Sequence, residues 1–299
     1  MKKPNPQSHL NDSAQLLLAE SDDKRISHIR KGAWLAYDEA KAILAKMEEL
    51  LDYPIITRMP NMLLVAPSHN GKTSILEHFV SQHLPEIDAA NEVTLCPVIM
   101  VESPPKPDIG DFYTRILDKL MAPYKPSASA PEKYSQIKKL FRQMGVRMLI
   151  IDEFHNLISG STKRQSEFRN AIKGMSNETK ITIVAAGTED AFNAINTDPQ
   201  MSSRFPPETL PLWKADSGFG QLLATLEFRM PLKLPSNLKS TEMMQAIHFR
   251  SEGTLGDMCD LVKALGVDAI RSKVEYITID RVNSLRWAPP SKRKNYKRV

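Results

Sequence analysis

Several features are scarce in this chain of 299 residues, and each absence narrows the range of functions. The two cysteines, Cys96 and Cys259, lie far apart beside apolar runs, so we expect buried thiols and no disulfide framework. The seven histidines show no metal-ligand spacing. No apolar run approaches membrane-spanning length, and the first residues lack the apolar core of a signal peptide. The sequence therefore predicts a cytoplasmic protein without a membrane partner.

Charge is mild overall but uneven along the chain. The composition is 41% hydrophobic and 25% charged, which is typical of a globular protein, and the net charge is +5. The last nine residues carry no acidic side chain, and they include Lys292, Arg293 and Lys294. A basic tail favours an anionic partner, most simply nucleic acid. A disordered solubilising tail explains the same composition equally well.

A phosphate-binding loop is the strongest signal in the sequence. The apolar run Met62-Leu63-Leu64-Val65 is followed by a loop of small residues, and Gly-Lys-Thr opens a helical run. Backbone N–H groups and the helix dipole favour a phosphate at such a junction. Lys72 would reach the β- and γ-phosphates of ATP, and the Thr73 hydroxyl would ligate Mg²⁺. The candidate nucleotide contacts are Ala66, Pro67, Ser68, His69, Asn70, Gly71, Lys72, Thr73 and Ser74.

One position departs from the usual motif, because Ala66 stands where the first glycine is expected. We interpret this alanine as a tolerated variant, since a small residue still lets the loop begin close to the strand. The alternative is an ordinary strand–turn–helix joint with a solvated Lys72.

A second signal lies at the end of the apolar run Met148–Asp152, which is typical of a buried parallel strand. Ligands bind at the carboxyl ends of such strands. Asp152 would hold the hydration shell of Mg²⁺, and Glu153 would orient and polarise the attacking water. The alternative is a strand that ends in two solvated acids.

Strand and helix patterns alternate through the middle of the chain, which predicts an α/β fold with a parallel sheet and helices on both faces. Helical patterns precede this core and follow it, and this order resembles an AAA+ module with a helical lid. We predict an N-terminal helical extension (1–51), an α/β core (52–213), a helical lid (214–287) and a basic tail (288–299). The predicted strands are Met62–Ala66, Val98–Val101, Met148–Asp152, Ile181–Ala186 and Thr209–Leu212.

Two further residues are candidates for the catalytic machinery. Thr188 follows the fourth predicted strand, where it could hydrogen-bond the attacking water or the γ-phosphate; the alternative is a helix cap. The AAA+ pattern places an arginine such as Arg204 at the edge of the core, where it could reach the γ-phosphate of a neighbouring subunit. The alternative is a surface arginine paired with an acid. The lid arginine of many AAA+ proteins is missing near Gly253–Met258, and Arg250 falls in the preceding helical run.

Three basic residues occupy loops that could contact DNA phosphates. Lys106 follows the second predicted strand, and Lys163 and Arg164 open the helix after the acidic pair. Phosphate contacts require only a cation on a reachable loop, so these positions imply no sequence specificity. Solvated charges are an equally good interpretation.

The chain resembles TniB-type transposition regulators, which are relatives of the TnsC ATPases. The resemblance rests on Arg58-Met59-Pro60-Asn61, Asn70-Gly71-Lys72-Thr73, Asp152-Glu153-Phe154-His155-Asn156, Gly187-Thr188 and Ser203-Arg204-Phe205-Pro206. It implies an ATP-dependent homo-oligomer, a ring or a helical filament, that assembles on duplex DNA and recruits and activates a transposase with a TniQ-type target-selection protein. The alternatives are a helicase loader and a nucleotide-gated DNA scaffold with little hydrolysis. A small-molecule kinase would have no use for Glu153 or Arg204.

Overall fold

A computed structural model describes residues 9–89, 93–158 and 162–293, and the chain forms two compact units. One unit consists of Asp38–Pro211. The other combines residues 9–37 with residues 212–293. Within these ranges no helix is long and apolar enough to cross a membrane.

The α/β unit is built on a five-stranded parallel sheet with the strand order β4-β5-β6-β1-β7. A small antiparallel hairpin, β2 with β3, precedes β4. The strands are β1 (Met62–Val65), β2 (Glu86–Asp88), β3 (Val93–Leu95), β4 (Val98–Glu102), β5 (Met148–Asp152), β6 (Thr182–Gly187) and β7 (Pro207–Thr209).

Helices surround this sheet and form the second unit. The helices are α1 (Asp12–Leu17), α2 (Asp22–Lys31), α3 (Asp38–Leu51), α4 (Lys72–Gln82), α5 (Ile109–Lys119), α6 (Ala130–Gln143), α7 (Thr162–Thr179), α8 (Glu189–Asn196), α9 (Pro199–Ser202), α10 (Ser217–Arg229), α11 (Thr241–Ser251), α12 (Leu255–Arg271), α13 (Ile279–Ser284) and α14 (Pro290–Arg293). A short 3₁₀ helix spans Phe154–Ile158.

The central strands explain why the fold brings the site residues together. Every residue of β5 and β6 is buried, as expected for parallel strands that are covered on both faces. Parallel pairing places Ile151 beside Ala185, and Val65 beside Gly187. The residues that follow these strands therefore meet at one edge of the sheet.

The segment before β1 is fixed by one buried amide. Asn61 is 1% exposed, and its side-chain oxygen accepts the N–H of Ile183 at 2.8 Å. Met59, two residues earlier, is 2% exposed. The Arg-Met-Pro-Asn sequence thus anchors the entry to β1, because it supplies a core side chain and a partner for a backbone group of β6.

The last predicted strand is displaced in the structure. The sequence predicted Thr209–Leu212, whereas β7 spans Pro207–Thr209. Leu63 pairs with Pro207, and the N–H of Leu210 still donates to the Val65 carbonyl at 2.9 Å. Leu212 is 45% exposed and does not continue the strand. The hairpin of β2 and β3 and the short helix α1 were not predicted, because their sequences are short and lack a clear apolar period.

The two units divide the chain differently from the predicted boundaries. Residues 1–51 were expected to form one extension, but α2 belongs to the helical unit and α3 belongs to the α/β unit. Arg25 on α2 is 1% exposed and forms an ion pair with Glu275, and its Nε and Nη2 atoms donate to the Pro231 carbonyl at 3.0 and 2.7 Å. On the other side of the boundary, Thr182 of β6 donates its hydroxyl to the Leu50 carbonyl at 3.2 Å.

Candidate functional site

The predicted phosphate loop connects β1 with α4. Positive φ angles within it belong to His69 (63°) and Gly71 (90°). Ala66 needs no such conformation, and its buried N–H donates to the Gly187 carbonyl at 3.1 Å. The alanine therefore fits where the usual motif has glycine, because its Cβ causes no backbone strain. Pro67, Ser68, His69, Thr73 and Ser74 are exposed.

Lys72 is 5% exposed and points into the loop. Its ammonium donates to the carbonyl oxygens of Ala66 at 2.9 Å and Pro67 at 3.0 Å. Burial lowers the pKa of Lys72, while the nearby charges of Glu153 and Asp152 act in the opposite direction. The bound phosphates of a nucleotide would stabilise this partly desolvated cation further.

The side chain of Asn70 bonds to the protein itself, which the sequence did not predict, while the predicted contact of Asn70 with phosphate stays a prediction. Its side chain is 2% exposed, and Nδ2 donates to the carbonyl oxygens of Leu210 and Pro211, both at 3.0 Å. These two residues follow β7. The amide thus ties the phosphate loop to the neighbouring segment of the α/β unit and positions the loop through its backbone.

Thr73 and Asp152 meet across the carboxyl ends of the strands. The Thr73 hydroxyl donates to Asp152 Oδ2 at 2.7 Å, and Asp152 is 4% exposed. Neighbouring oxygen ligands held at about 2.1 Å in an octahedron lie about 3.0 Å apart. The Thr73 hydroxyl and the Asp152 carboxylate are therefore close enough to bind one Mg²⁺ ion together, directly or through its water shell.

Glu153 is held in an unusual backbone conformation beside Asp152. Its φ angle is 53°, a region that non-glycine residues seldom adopt. Its N–H donates to Asp152 Oδ1 at 2.8 Å, and the hydroxyl of Ser103 donates to its carbonyl oxygen. The Ser103 N–H in turn donates to the Asp152 carbonyl at 2.9 Å. These bonds fix the direction in which the half-exposed Glu153 side chain leaves the sheet.

Two residues of this cluster were not predicted. Ser103 is 1% exposed, and it directly follows β4. His155 Nδ1 lies 3.3 Å from Glu153 Oε2, which is within ion-pairing distance. Their positions, just past the carboxyl ends of two predicted parallel strands, are the sequence signal that could have indicated them.

Thr188 precedes α8 and lies beside the phosphate loop. Its hydroxyl is buried and has no hydrogen-bond partner among the described residues. It lines an open pocket of about 500 Å³ together with Ala66, Pro67 and Ser68. Gly187 makes this arrangement possible, because a Cβ at that position would lie 2.6 Å from the Cβ of Ala191. A buried hydroxyl without a partner is suited to bond a ligand or water in the pocket.

Arg204 lies elsewhere on the α/β unit. It precedes the amino end of β7, whereas the phosphate loop and the acidic pair follow the carboxyl ends of β1 and β5. Its Nη1 donates to Asn177 Oδ1 at 2.9 Å. Burial lowers the pKa of Arg204, and the charge of Arg58 lowers it further. The structure therefore does not bring this arginine to the phosphate loop of its own chain.

The predicted DNA-contacting residues are scattered. Lys106 is exposed between β4 and α5, and Lys163 and Arg164 are exposed in the first turn of α7. Lys292 is exposed in α14, while Lys294 lies outside the described residues.

Arg293 is not a free cation of the tail. It forms an ion pair with Asp257 at 2.5 Å, and its guanidinium lies 5.0 Å from the ring centre of Trp287. Asp257 is 3% exposed in the first turn of α12. Arg293 thus has an acidic partner within the helical unit, and its predicted contact with DNA stays a prediction. Arg250 lies on α11, as expected, and donates to the carbonyl oxygens of Val282 and Leu285.

Comparison with solved structures identifies an AAA+ fold. ORC2 from Aeropyrum pernix, solved with ADPNP and ADP, matches with a TM-score of 0.60 and 16% identity over 82% of this chain and 65% of that chain. Cdc6p from Pyrobaculum aerophilum matches with a TM-score of 0.58 and 16% identity over 90% and 68%. Drosophila ORC bound to DNA matches with a TM-score of 0.56 and 14% identity over 91% and 66%. The chain spans about two thirds of the length of these proteins.

No match was found among curated proteins. A sequence model described as bacterial TniB protein matches residues 25–215, which is more than half of the chain. The match includes the phosphate loop, the acidic pair, Thr188 and Arg204, all of which lie on the α/β unit. The chain therefore belongs to the TniB family.

Proposed function

We propose that this AAA+ protein binds and hydrolyses ATP at the carboxyl edge of its sheet. The observation that carries the proposal is the hydrogen bond between Thr73 and Asp152, which joins the phosphate loop to the acidic pair. Lys72 would neutralise charge on the β- and γ-phosphates, and Thr73 and Asp152 would hold Mg²⁺. The metal supplies charge stabilisation to the transferred phosphoryl group.

Glu153 and Thr188 would act on the attacking water. The backbone of Glu153 is fixed by its bonds to Asp152 and Ser103, so its carboxylate is aimed before the nucleotide arrives. A carboxylate can polarise water and accept its proton. The Thr188 hydroxyl, which has no hydrogen-bond partner in the described ranges, would hold the same water or a γ-phosphate oxygen.

Arg204 would complete the site of a neighbouring subunit. Arg204 lies at the amino end of β7, whereas the phosphate loop of the same chain follows the carboxyl end of β1. Arg204 is therefore at the wrong end of the sheet to act on its own phosphate site. A guanidinium supplied in trans stabilises the charge of the transition state and raises the rate by about 10³–10⁵ in favourable cases. Hydrolysis would then depend on a homo-oligomer, either a ring or a helical filament.

The wider role that we propose is regulation of DNA transposition. The ATP-bound oligomer would assemble on duplex DNA and would recruit and activate a transposase, together with a TniQ-type target-selection protein. Membership of the TniB family supports this role, and so does the fold shared with Drosophila ORC, which was solved bound to DNA. The exposed Lys106, Lys163 and Arg164 are the candidates for phosphate contacts.

A nucleotide-gated scaffold with little hydrolysis is the second candidate. Arg250, which precedes α12 by five residues in sequence, is held by the carbonyl oxygens of Val282 and Leu285. Arg250 therefore bonds within the helical unit. ATP hydrolysis would be slow if no other cation of the lid contacts the γ-phosphate.

One experiment separates these functions. Purified protein is combined with ATP, ADP or no nucleotide and with duplex or single-stranded DNA, and oligomer size and phosphate release are measured. ATP-dependent oligomers on duplex DNA with phosphate release support the proposal. Assembly without release supports the scaffold, and a preference for single strands supports a helicase loader.

The trans role of Arg204 is tested by mixing two inactive variants. Arg204→Ala subunits keep Glu153, and Glu153→Gln subunits keep Arg204. Interfaces that pair the two intact residues should recover part of the lost turnover. If mixed oligomers form without any recovery, the trans role is wrong.

A further inference from the structure

The carboxylate of Glu153 has a contact of its own, separate from the bonds that hold its backbone. Ser103 and Asp152 bond to the carbonyl oxygen and the N–H of Glu153, and these bonds set the direction in which the side chain leaves the sheet. The carboxylate itself has one ion-pair partner among the described residues, the imidazole of His155. A long side chain that is held at both ends loses most of its rotamer freedom.

The backbone around His155 is firmly placed. The 3₁₀ helix Phe154–Ile158 begins directly after Glu153 and packs against α7 and α8. Phe154 is fully buried, and its ring stacks on that of Phe205 with the centroids 6.4 Å apart. On the side of β6, a Cβ at Gly187 would lie 3.5 Å from the backbone nitrogen of His155. The packing of the 3₁₀ helix therefore determines where the imidazole begins.

The Nδ1 atom of His155 is left with a polar group to bond. It is buried and makes no hydrogen bond with any residue that the structure describes. Glu153 Oε2 lies 3.3 Å away, and a small rotation of the glutamate side chain would complete a hydrogen bond between them. A buried polar atom without a bond is costly, which favours this rotation. Since a carboxylate has two oxygens, a bond to Oε2 leaves Oε1 able to accept from water.

We propose that His155 is a positioning residue for ATP hydrolysis: with a proton on Nδ1, it holds Oε2 of Glu153 and thereby turns Oε1 toward the attacking water. The charge of Glu153 raises the pKa of Lys72, which places the carboxylate near the cation that would hold the γ-phosphate. His155 acts through Glu153 and does not touch the nucleotide. The inference rests on the proposed function and adds the group that orients its general base.

The test compares three replacements of His155 in the full chain with Mg-ATP and duplex DNA. His155→Ala removes the donor. His155→Asn keeps a donor, because the amide nitrogen of asparagine is as many bonds from Cβ as Nδ1 is, whereas His155→Gln moves it one bond further. His83→Ala is the matched control, because His83 Nε2 lies 3.2 Å from Glu48 Oε2 on the same unit, at the end of α4 away from the phosphate loop.

The alanine and glutamine variants should lose about tenfold or more in kcat, as expected for a lost hydrogen bond to a charged group, while the Kd for ATP stays at the wild-type value. The asparagine variant should stay within about threefold of the wild type, and His83→Ala should turn over normally. Wild-type turnover in His155→Ala would overturn the inference. Equal losses in the alanine and asparagine variants would also overturn it, because the imidazole would then act in another way, and so would full activity in the glutamine variant.

A double variant shows whether His155 acts through Glu153. In a Glu153→Gln background, His155→Ala should cost no further turnover, because the carboxylate that it orients is gone. Additive losses would contradict the inference. A slow Glu153→Gln variant beside a normal His155→Ala variant would refute the positioning role alone. Wild-type turnover in Glu153→Gln, or a wild-type chain that releases no phosphate, would refute the proposed function and this inference with it.

Discussion

Replacing Asn70 with alanine should destabilise the phosphate loop, because the loop loses the side chain that holds it to the segment after β7. The side chain is buried and makes two hydrogen bonds, to the carbonyl oxygens of Leu210 and Pro211. Each bond contributes about 0.5–1.5 kcal/mol, and a buried carbonyl without a partner costs about 1–3 kcal/mol. Since one of the two carbonyls is only partly buried, we expect Asn70→Ala to lower the free energy of unfolding by about 2–4 kcal/mol.

The same change should lower ATP affinity, because the loop must be ordered before its N–H groups can bind phosphate. If roughly half of the lost unfolding free energy comes from the ordered conformation of the loop, the Kd for ATP should rise by about tenfold, since 1.4 kcal/mol corresponds to a factor of ten. Urea unfolding gives the free energy, and a fluorescent ATP analogue gives the Kd. Glu77→Ala is the control, because Glu77 is exposed on α4, outside the phosphate loop.

A variant with wild-type unfolding free energy and wild-type ATP affinity would refute this reasoning. It would mean that the loop keeps its conformation without the amide. Equal losses in Asn70→Ala and Glu77→Ala would also contradict it, since the effect would then not come from the two side-chain bonds of Asn70.

Three further outcomes are expected. Lys72→Ala should abolish stable ATP binding in calorimetry, because the loop loses its buried cation; normal affinity would contradict the motif. Glu153→Gln should keep ATP binding but slow phosphate release about 10²-fold or more, and wild-type turnover would remove Glu153 from the mechanism. Arg25→Ala should lower the free energy of unfolding by about 3–5 kcal/mol, because it breaks a buried ion pair and leaves Glu275 with only the more exposed Lys233 as a cationic partner. Burial raises the pKa of Glu275, but its bond to Arg25 and the charges of Arg25 and Lys233 outweigh burial and lower it overall. The pair therefore stabilises the fold above the ordinary glutamate pKa, and this contribution is lost as pH falls, a dependence that Glu275→Gln should remove in acid unfolding curves.

Local patterns were sufficient to predict most of the parallel sheet and the residues that meet at its carboxyl edge. The apolar runs at Met62 and Met148 lie in buried parallel strands, and the residues after them meet as expected. This prediction was possible because the carboxyl ends of parallel strands share one edge. The presence of Lys72, Thr73, Asp152 and Thr188 around that edge follows from topology alone.

Contacts between residues distant in sequence could not be predicted. Arg25 and Glu275 are 250 positions apart, and no periodic pattern indicates that they pair. The assignment of α2 to the helical unit depends on such contacts. The part that Asn70 plays was missed for a similar reason, because a motif indicates where a residue lies but not which carbonyl oxygens its side chain will reach.

The backbone of Glu153 has a consequence for engineering. A left-handed φ of 53° costs a glutamate about 1 kcal/mol relative to glycine, and asparagine also adopts it more readily. Substitution of Glu153 by glycine or asparagine should therefore raise the melting temperature while removing the carboxylate that is proposed to activate water. A directed-evolution campaign that selects for heat tolerance alone would favour such substitutions. Selection on thermostability and on turnover would therefore act in opposite directions at this single position, so a useful screen must score both.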